Sequence, residues 1–163
     1  MHIAILATKG AVQSSEIDNF IKLKNLPKHI VVHKINASDL VNLIEPGTFQ
    51  NNPQQTEQTV HMVIDPLLAE DKDVDVMTLS STHLPFLLGY FQKLYPNISF
   101  LDPAEKIAKE AQNYLYDKNM ASASNGSITI LTTKDGQGKL DSEGLQAIFK
   151  NLGLKANVTT VTI

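Results

Sequence analysis

The chain of 163 residues has no cysteine. Disulfides, thiolate metal sites and thiol nucleophiles are thereby excluded. It also has no run of Lys or Arg. Its 14 basic and 17 acidic residues are scattered and give a formal net charge of -3, so a nucleic-acid partner is not expected. The apolar stretches are strand length, far short of a membrane span, and no membrane partner is expected. Residues Met1 to Leu6 lack the basic-then-apolar layout of a signal peptide and read as a first strand. The expected compartment is the cytoplasm. Gly10 follows that strand, but no second or third glycine completes a dinucleotide fingerprint. A Gly-x-Ser-x-Gly nucleophile elbow is absent, as is any internal repeat.

The hydrophobic fraction of 42% is that of a globular protein. His2 to Thr8 is an apolar, β-branched run that turns at Lys9-Gly10. Ser15 can cap a helix carrying Ile17, Phe20 and Ile21 at helical spacing. A second strand covers Ile30 to Ile35. A short helix from Ser38 or Asp39 stops at Glu45-Pro46-Gly47, since Pro cannot continue a helix and Gly punctuates it. Phe49 to Glu57 is polar, rich in Gln and Asn, and reads as a loop leading into a helix. Val60, Val63, Ile64, Leu67 and Leu68 then line one side of a helix, with Pro66 marking a kink or late turn.

Val74 to Leu79 reads as a third strand, Phe86 to Leu94 as a helix and Ser99 to Leu101 as a fourth strand. Asp102-Pro103-Ala104-Glu105 is a helix start, with a capping side chain and proline at the first helical position. That helix runs to about Asp117. After a small-residue linker come a strand from Ile128 to Thr132, a helix from Ser142 to Leu152 and a strand from Val158 to Ile163. Alternating strands and helices predict an α/β fold, a parallel sheet with helices on both faces. The expected division is 1-119 as an α/β domain, 120-127 as a linker and 128-163 as a strand-helix-strand. That last piece has too little apolar surface to stand alone, so it should pack on the first part or on a partner chain.

Leu79-Ser80-Ser81-Thr82-His83-Leu84-Pro85 carries the most chemistry. In an open α/β sheet, ligands bind in loops at the carboxyl ends of strands. Ser81, Thr82 and His83 offer two hydroxyls and an imidazole where an anion such as a carboxylate is favoured. His83 can give or take a proton near neutral pH. The plainer alternative is that Ser and Thr cap the next helix and His83 is a turn residue. Thr8-Lys9-Gly10-Ala11 is the equivalent turn after the first strand, with a tight turn as its plain reading. Glu45 is a lone carboxylate at a helix end, by default solvated. His2, His29, His33 and His61 show no metal spacing with carboxylates and are assigned structural or surface roles. Neither a metal nor a cofactor is expected.

Taken in order, these segments resemble the second domain of bacterial glutamate racemases. Ile3 to Ser14 resembles the segment that opens that domain. Ala37-Ser38-Asp39 through Glu45-Pro46-Gly47 resembles an Ala-Cys-Pro to Leu-Val-Glu-x-Gly stretch. Leu79 to Pro85 resembles Leu-Gly-Cys-Thr-His-Tyr-Pro, the family's second catalytic motif. Leu101-Asp102-Pro103 resembles an Ile-Asp-Ser helix start. The resemblance implies a flavodoxin-like, racemase-type domain and an active site between two domains. There two thiols move the α-proton of glutamate without a cofactor. By the same analogy Ser81 occupies a thiol position, His83 and Glu45 flank it, and Thr8 and Thr82 hold substrate carboxylates.

The departures are equally specific. Ser81 replaces the second catalytic cysteine, Ser80 a glycine, and Ala11 a substrate-binding threonine. The family's first-domain Asp-Ser-Gly, Pro-Tyr-Gly and Cys-Asn-Thr motifs do not occur. A thiol titrates near pH 8.5 and is readily pushed to thiolate; a serine hydroxyl needs a dedicated base. The expected function is a truncated racemase-like protein that binds a small amino acid or dicarboxylate and is inactive alone as a two-thiol racemase. One alternative is a half-enzyme or homodimer completed by a second copy or a separately encoded first domain. Another is a hydrolase or lyase using His83 and Glu45, with Ser81 beside them.

Overall fold

The first strand, β1 (His2–Ala7), buries Ala4, Leu6 and Ala7. It is one of the two inner strands of a parallel sheet ordered β2-β1-β3-β4, with β2 Val31–Asn36, β3 Val74–Leu79 and β4 Ser99–Leu101. Leu6 lies opposite Ile35 on one side and Leu79 on the other. The computed structural model describes residues 1–122, 126–133, 142–151 and 153–161.

Helices α1 (Lys9–Gln13) and α2 (Glu16–Lys24) join β1 to β2. Helices α3 (Ser38–Ile44), α4 (Thr48–Asn51) and α5 (Pro53–Glu70) join β2 to β3. A 3-10 turn, Leu84–Leu87, and α6 (Leu88–Leu94) join β3 to β4. The chain moves outward from β1 to β2, then back across β1 to β3 and on to β4. Right-handed crossovers therefore put α1 and α2 on one face and the later helices on the other. This is the doubly wound α/β arrangement that the alternating pattern predicts.

Leu40, Val60, Ile64, Leu84, Leu87 and Phe91 are fully buried, with Leu6, Met77 and Leu79 from the strands. Each contributes about 1.5–3 kcal/mol relative to leaving it exposed. Phe91 stacks on Phe100 with centroids 5.1 Å apart. Thr56 is buried among them, and its hydroxyl donates to the Asn52 carbonyl at 2.9 Å.

Several local expectations change. Lys9-Gly10 is not a turn but the start of α1. Ser15 makes no side-chain cap; the Ser14 hydroxyl accepts from the Glu16 N–H instead, at 3.4 Å. Phe49 to Glu57 is not a loop: it holds α4 and the first turn of α5. Asn52 caps that turn, its side chain accepting from the Gln55 N–H at 3.1 Å, and Pro53 takes the first helical position. Helix α5 continues through Pro66 to Glu70.

By packing the chain divides into two units, Met1–Ile44 with Thr48–Pro103, and Glu45–Gly47 with Ala104–Ile163. The second unit therefore includes α7 (Ala104–Asp117), which the expected 1-119 domain assigned to the first part. All residues of α7 are exposed. The rest of the second unit is β5 (Ile128–Thr133), α8 (Ser142–Asn151) and β6 (Ala156–Val161), with β5 and β6 parallel. Gln146 on α8 clamps β6: its amide donates to the Ala156 carbonyl at 2.6 Å and accepts from the Val158 N–H at 3.0 Å. Part of the expected linker, 123–125, and the expected ends at 152 and 162–163 lie outside the described residues.

Candidate functional site

The strand order reverses direction between β1 and β3, because the connection leaving β1 goes to one face and the connection leaving β3 to the other. The crevice beyond the carboxyl ends at such a switch point is where open α/β sheets bind ligands. Thr8 follows β1 and Ser80 to His83 follow β3, so two of the sequence-derived candidate segments flank this point.

Backbone bonds hold the loops side by side. The Ser80 N–H donates to the Leu6 carbonyl at 2.9 Å, and the Ala37 N–H to the Ala7 carbonyl at 2.8 Å. Both sides of the β1 ladder thus extend past the strands. The Lys9 N–H donates to the Ser38 hydroxyl at 2.9 Å, and the Ser38 N–H to the Asn36 side-chain oxygen at 3.1 Å. The loop after β2 is therefore tied to the loop after β1. Asn36 and Ser38 belong to this edge; the sequence marks Ser38 only as a helix start and within the resemblance, and Asn36 not at all. The signal that could have found them is their place directly after an apolar strand.

Thr8 and Thr82 are exposed, and Ser81 and His83 half-buried. The Ser81 hydroxyl accepts from the His83 N–H at 3.4 Å, a contact within the turn, and the 3-10 turn that follows has no side-chain cap. The Ser81 hydroxyl proton remains able to donate to an anion. The Thr78 and Ser80 hydroxyls are 3.0 Å apart. Gly10 sits in α1, and a Cβ there would meet nothing within 4 Å. Glu45 lies in the turn after α3, before Gly47, whose positive φ of 74° suits glycine. Glu45 groups with the second unit, whereas Thr8, Ser81, Thr82 and His83 belong to the first.

At the amino ends of β3 and β4 a cleft of about 580 Å³ is lined by Lys72, Asp73, Asp75, Tyr95 and Asn97. Near the start of β1 the structure corrects a sequence expectation. His2 and His33, read as lacking any carboxylate at metal spacing, lie with Asp71 in one cluster. His2 Nδ1 is 2.6 Å and His33 Nε2 2.7 Å from the same Asp71 oxygen. The His2 hydrogen bond is the main reason that the Asp71 carboxyl is held down at about 2. Partial burial opposes this; His33 and the Asp73 N–H add to it. Residues 2, 33 and 71 are far apart in sequence, and spacing rules cannot see them meet.

The arrangement defines a class, a doubly wound parallel α/β domain with polar loops at its switch point. No family model matches the chain. Among curated proteins it is 32% identical over 133 residues to the glutamate racemase of Carboxydothermus hydrogenoformans, across 82% of this chain and 48% of that protein. It is 28% identical over 136 residues to glutamate racemase 1 of Caldanaerobacter subterraneus subsp. tengcongensis, across 80% of this chain and 48% of that one. Among solved structures, glutamate racemase isoform RacE1 from Bacillus anthracis aligns with a TM-score of 0.75 at 23% identity, covering 98% of this chain and 57% of its own. Glutamate racemase from Francisella tularensis, in complex with D-glutamate, aligns at 0.73 and 17% identity, covering 98% and 57%.

The protein is thus glutamate racemase-like, a homologue of one part of those enzymes. The chain spans about half the length of the curated relatives it matches. The hydrolase or lyase alternative finds no support, since the relatives it matches are glutamate racemases.

Proposed function

We propose that this chain binds a small amino acid or dicarboxylate at the carboxyl edge of its four-stranded sheet. We also propose that, by itself, it does not racemise glutamate by a two-thiol route. The observation that carries the binding reading is the pinning of the β1, β2 and β3 loops around the switch point. It gathers the hydroxyls of Thr8, Ser81 and Thr82 at one sheet edge. Hydroxyls and loop N–H groups suit carboxylate oxygens, and a hydrogen bond to a charged group contributes about 1.5–3 kcal/mol. Two structural neighbours carry amino-acid ligands, D-glutamate in one and β-chloro-D-alanine in another. That is an analogy of fold rather than of site.

The chemistry of α-proton transfer supports the second half of the reading. Removal on one face and return on the other needs a base and an acid poised close to neutrality. This sequence offers no thiol for either, and Ser81 is a far weaker acid. His83 is the remaining group suited to one-base chemistry.

Calorimetric titration with D- and L-glutamate and D- and L-aspartate tests the binding. Millimolar or tighter association is expected, weakened about tenfold or more by Thr82→Val, given about 1.4 kcal/mol per decade. The melting temperature should hold, because Thr82 is exposed. Absence of binding at millimolar ligand, or affinity unchanged in both Thr82→Val and Thr8→Val, would sink the proposal.

A second reading, a half-enzyme completed by another chain, is favoured by α7. Ile107, Tyr114, Leu115 and Tyr116 on that helix are 60%, 59%, 40% and 62% exposed. For a homodimer, light scattering at high concentration should give twice the chain mass. A clean monomer would count against self-association.

A further inference from the structure

The cluster of His2, His33 and Asp71 sits at the amino edge of the sheet. About 17 Å of strand separates it from the candidate site at the other end of β1. The parallel register sets His2 opposite Val31 and Ala4 opposite His33. Alternate strand residues share a face, so His2 and His33 rise on the same face of neighbouring strands. Asp71 comes from the C-cap of α5, where its N–H donates to the Leu67 carbonyl at 2.7 Å.

The carboxylate is oriented from behind. Asp71 Oδ1 accepts the Asp73 N–H at 3.0 Å, leaving Oδ2 to face both imidazoles. The His2 backbone N–H donates to Asp75 Oδ1 at 3.2 Å, which holds the main chain there. One ligand atom from each of the three residues lies within 4.8 Å of the others. Side-chain exposures of 25%, 23% and 15% for His2, His33 and Asp71 leave one side of the group open to solvent.

We propose that His2 Nδ1, His33 Nε2 and Asp71 Oδ2 bind a divalent transition-metal cation of the zinc type, with water completing the shell. Two nitrogens and one oxygen suit zinc, nickel or copper rather than magnesium or calcium, which prefer oxygen alone. Zinc binds His nitrogen at about 2.0–2.1 Å and carboxylate oxygen at about 2.0–2.2 Å, so tetrahedral ligand atoms stand about 3.3 Å apart. The present contacts of 2.6 and 2.7 Å therefore open by about 0.6 Å. Each ring coordinates through the nitrogen that now faces Oδ2, and its proton moves to the other ring nitrogen through solvent. The Asp73 N–H, bonded to Asp71 Oδ1, acts as the kind of outer partner that metal ligands usually have.

The test uses the full chain, stripped of metal and free of any histidine tag, titrated with Zn2+. One saturable equivalent is expected in calorimetry. In 15N spectra of the histidine rings, Zn2+ should move the His2 and His33 signals and leave His29, His61 and His83 in place. Asp71→Asn and His33→Gln should each weaken Zn2+ binding at least about tenfold, a loss no smaller than outer-shell changes give. His61→Gln should leave it unchanged. Lack of saturation up to millimolar Zn2+, ring shifts confined to other histidines, or unaltered affinity in both ligand variants would overturn the proposal. The ring measurement uses the unmodified protein, so it decides the matter even if a variant fails to fold.

Discussion

Tyr95 shows how one side chain acquires its character from the fold. Its hydroxyl donates to Asp65 Oδ1 at 2.6 Å and lies 3.1 Å from His61 Nδ1. Burial, then the Asp65 bond and charge, push its phenol well above the ordinary value of about 10. The fold thus favours the protonated form. The stabilisation is complete below pH 10 and lost as pH rises through the folded value. In absorbance titration at 295 nm, Tyr95→Phe should leave the ionisation seen up to pH 11 undiminished. A drop of one tyrosine's amplitude in that range would show that Tyr95 ionises normally. His61 and Asp65 are four apart on α5, a pairing not singled out from the sequence, and Tyr95 reaches them from beyond α6, where no local spacing shows it. The same separation hid the His2, His33 and Asp71 cluster.

At the level of elements, strong local signals were read at their observed bounds. β3 and β4 are bounded as expected, because their apolar runs end at polar residues. Two helix starts were not. Helix α1 has only five residues, with Gly10 at the second, too little periodicity to register. The start of α5 was missed although Asn52-Pro53 is itself a start signal; polar Gln and Asn around it masked the pattern. Asn52→Ala removes the bond to the Gln55 N–H and the reciprocal bond from its own amide to the Gln55 side chain at 3.1 Å. Urea denaturation should show a loss of about 1 kcal/mol. An unshifted midpoint would mean that Pro53 starts the helix unaided.

For the whole molecule, the order β2-β1-β3-β4 decides which loops meet. The segments after β1 and β3 carry Thr8 and Ser80 to His83, so the polar sequence at strand ends becomes one edge. Glu45, which the resemblance sets beside His83, is grouped by packing with the other unit, and this grouping does not decide whether the two side chains meet. The consequence for chemistry is tested on the intact chain. In D2O with L-glutamate or L-aspartate, the purified protein should give no Cα deuteration at an enzymatic rate. Deuterium appearing at such a rate would show that serine and histidine suffice.

By itself the sequence determined the alternation of strands and helices, the order of motifs and the lack of cysteine in this chain. These depend on neighbouring residues or on composition, which need no folded chain. Only the tertiary structure decided that β1 lies between β2 and β3, that Asn36 and Ser38 join the candidate edge, and that His2 and His33 meet on one oxygen of Asp71, 69 residues beyond His2. Strand order and register are long-range choices, fixed by which apolar faces can be buried together. No local spacing encodes them.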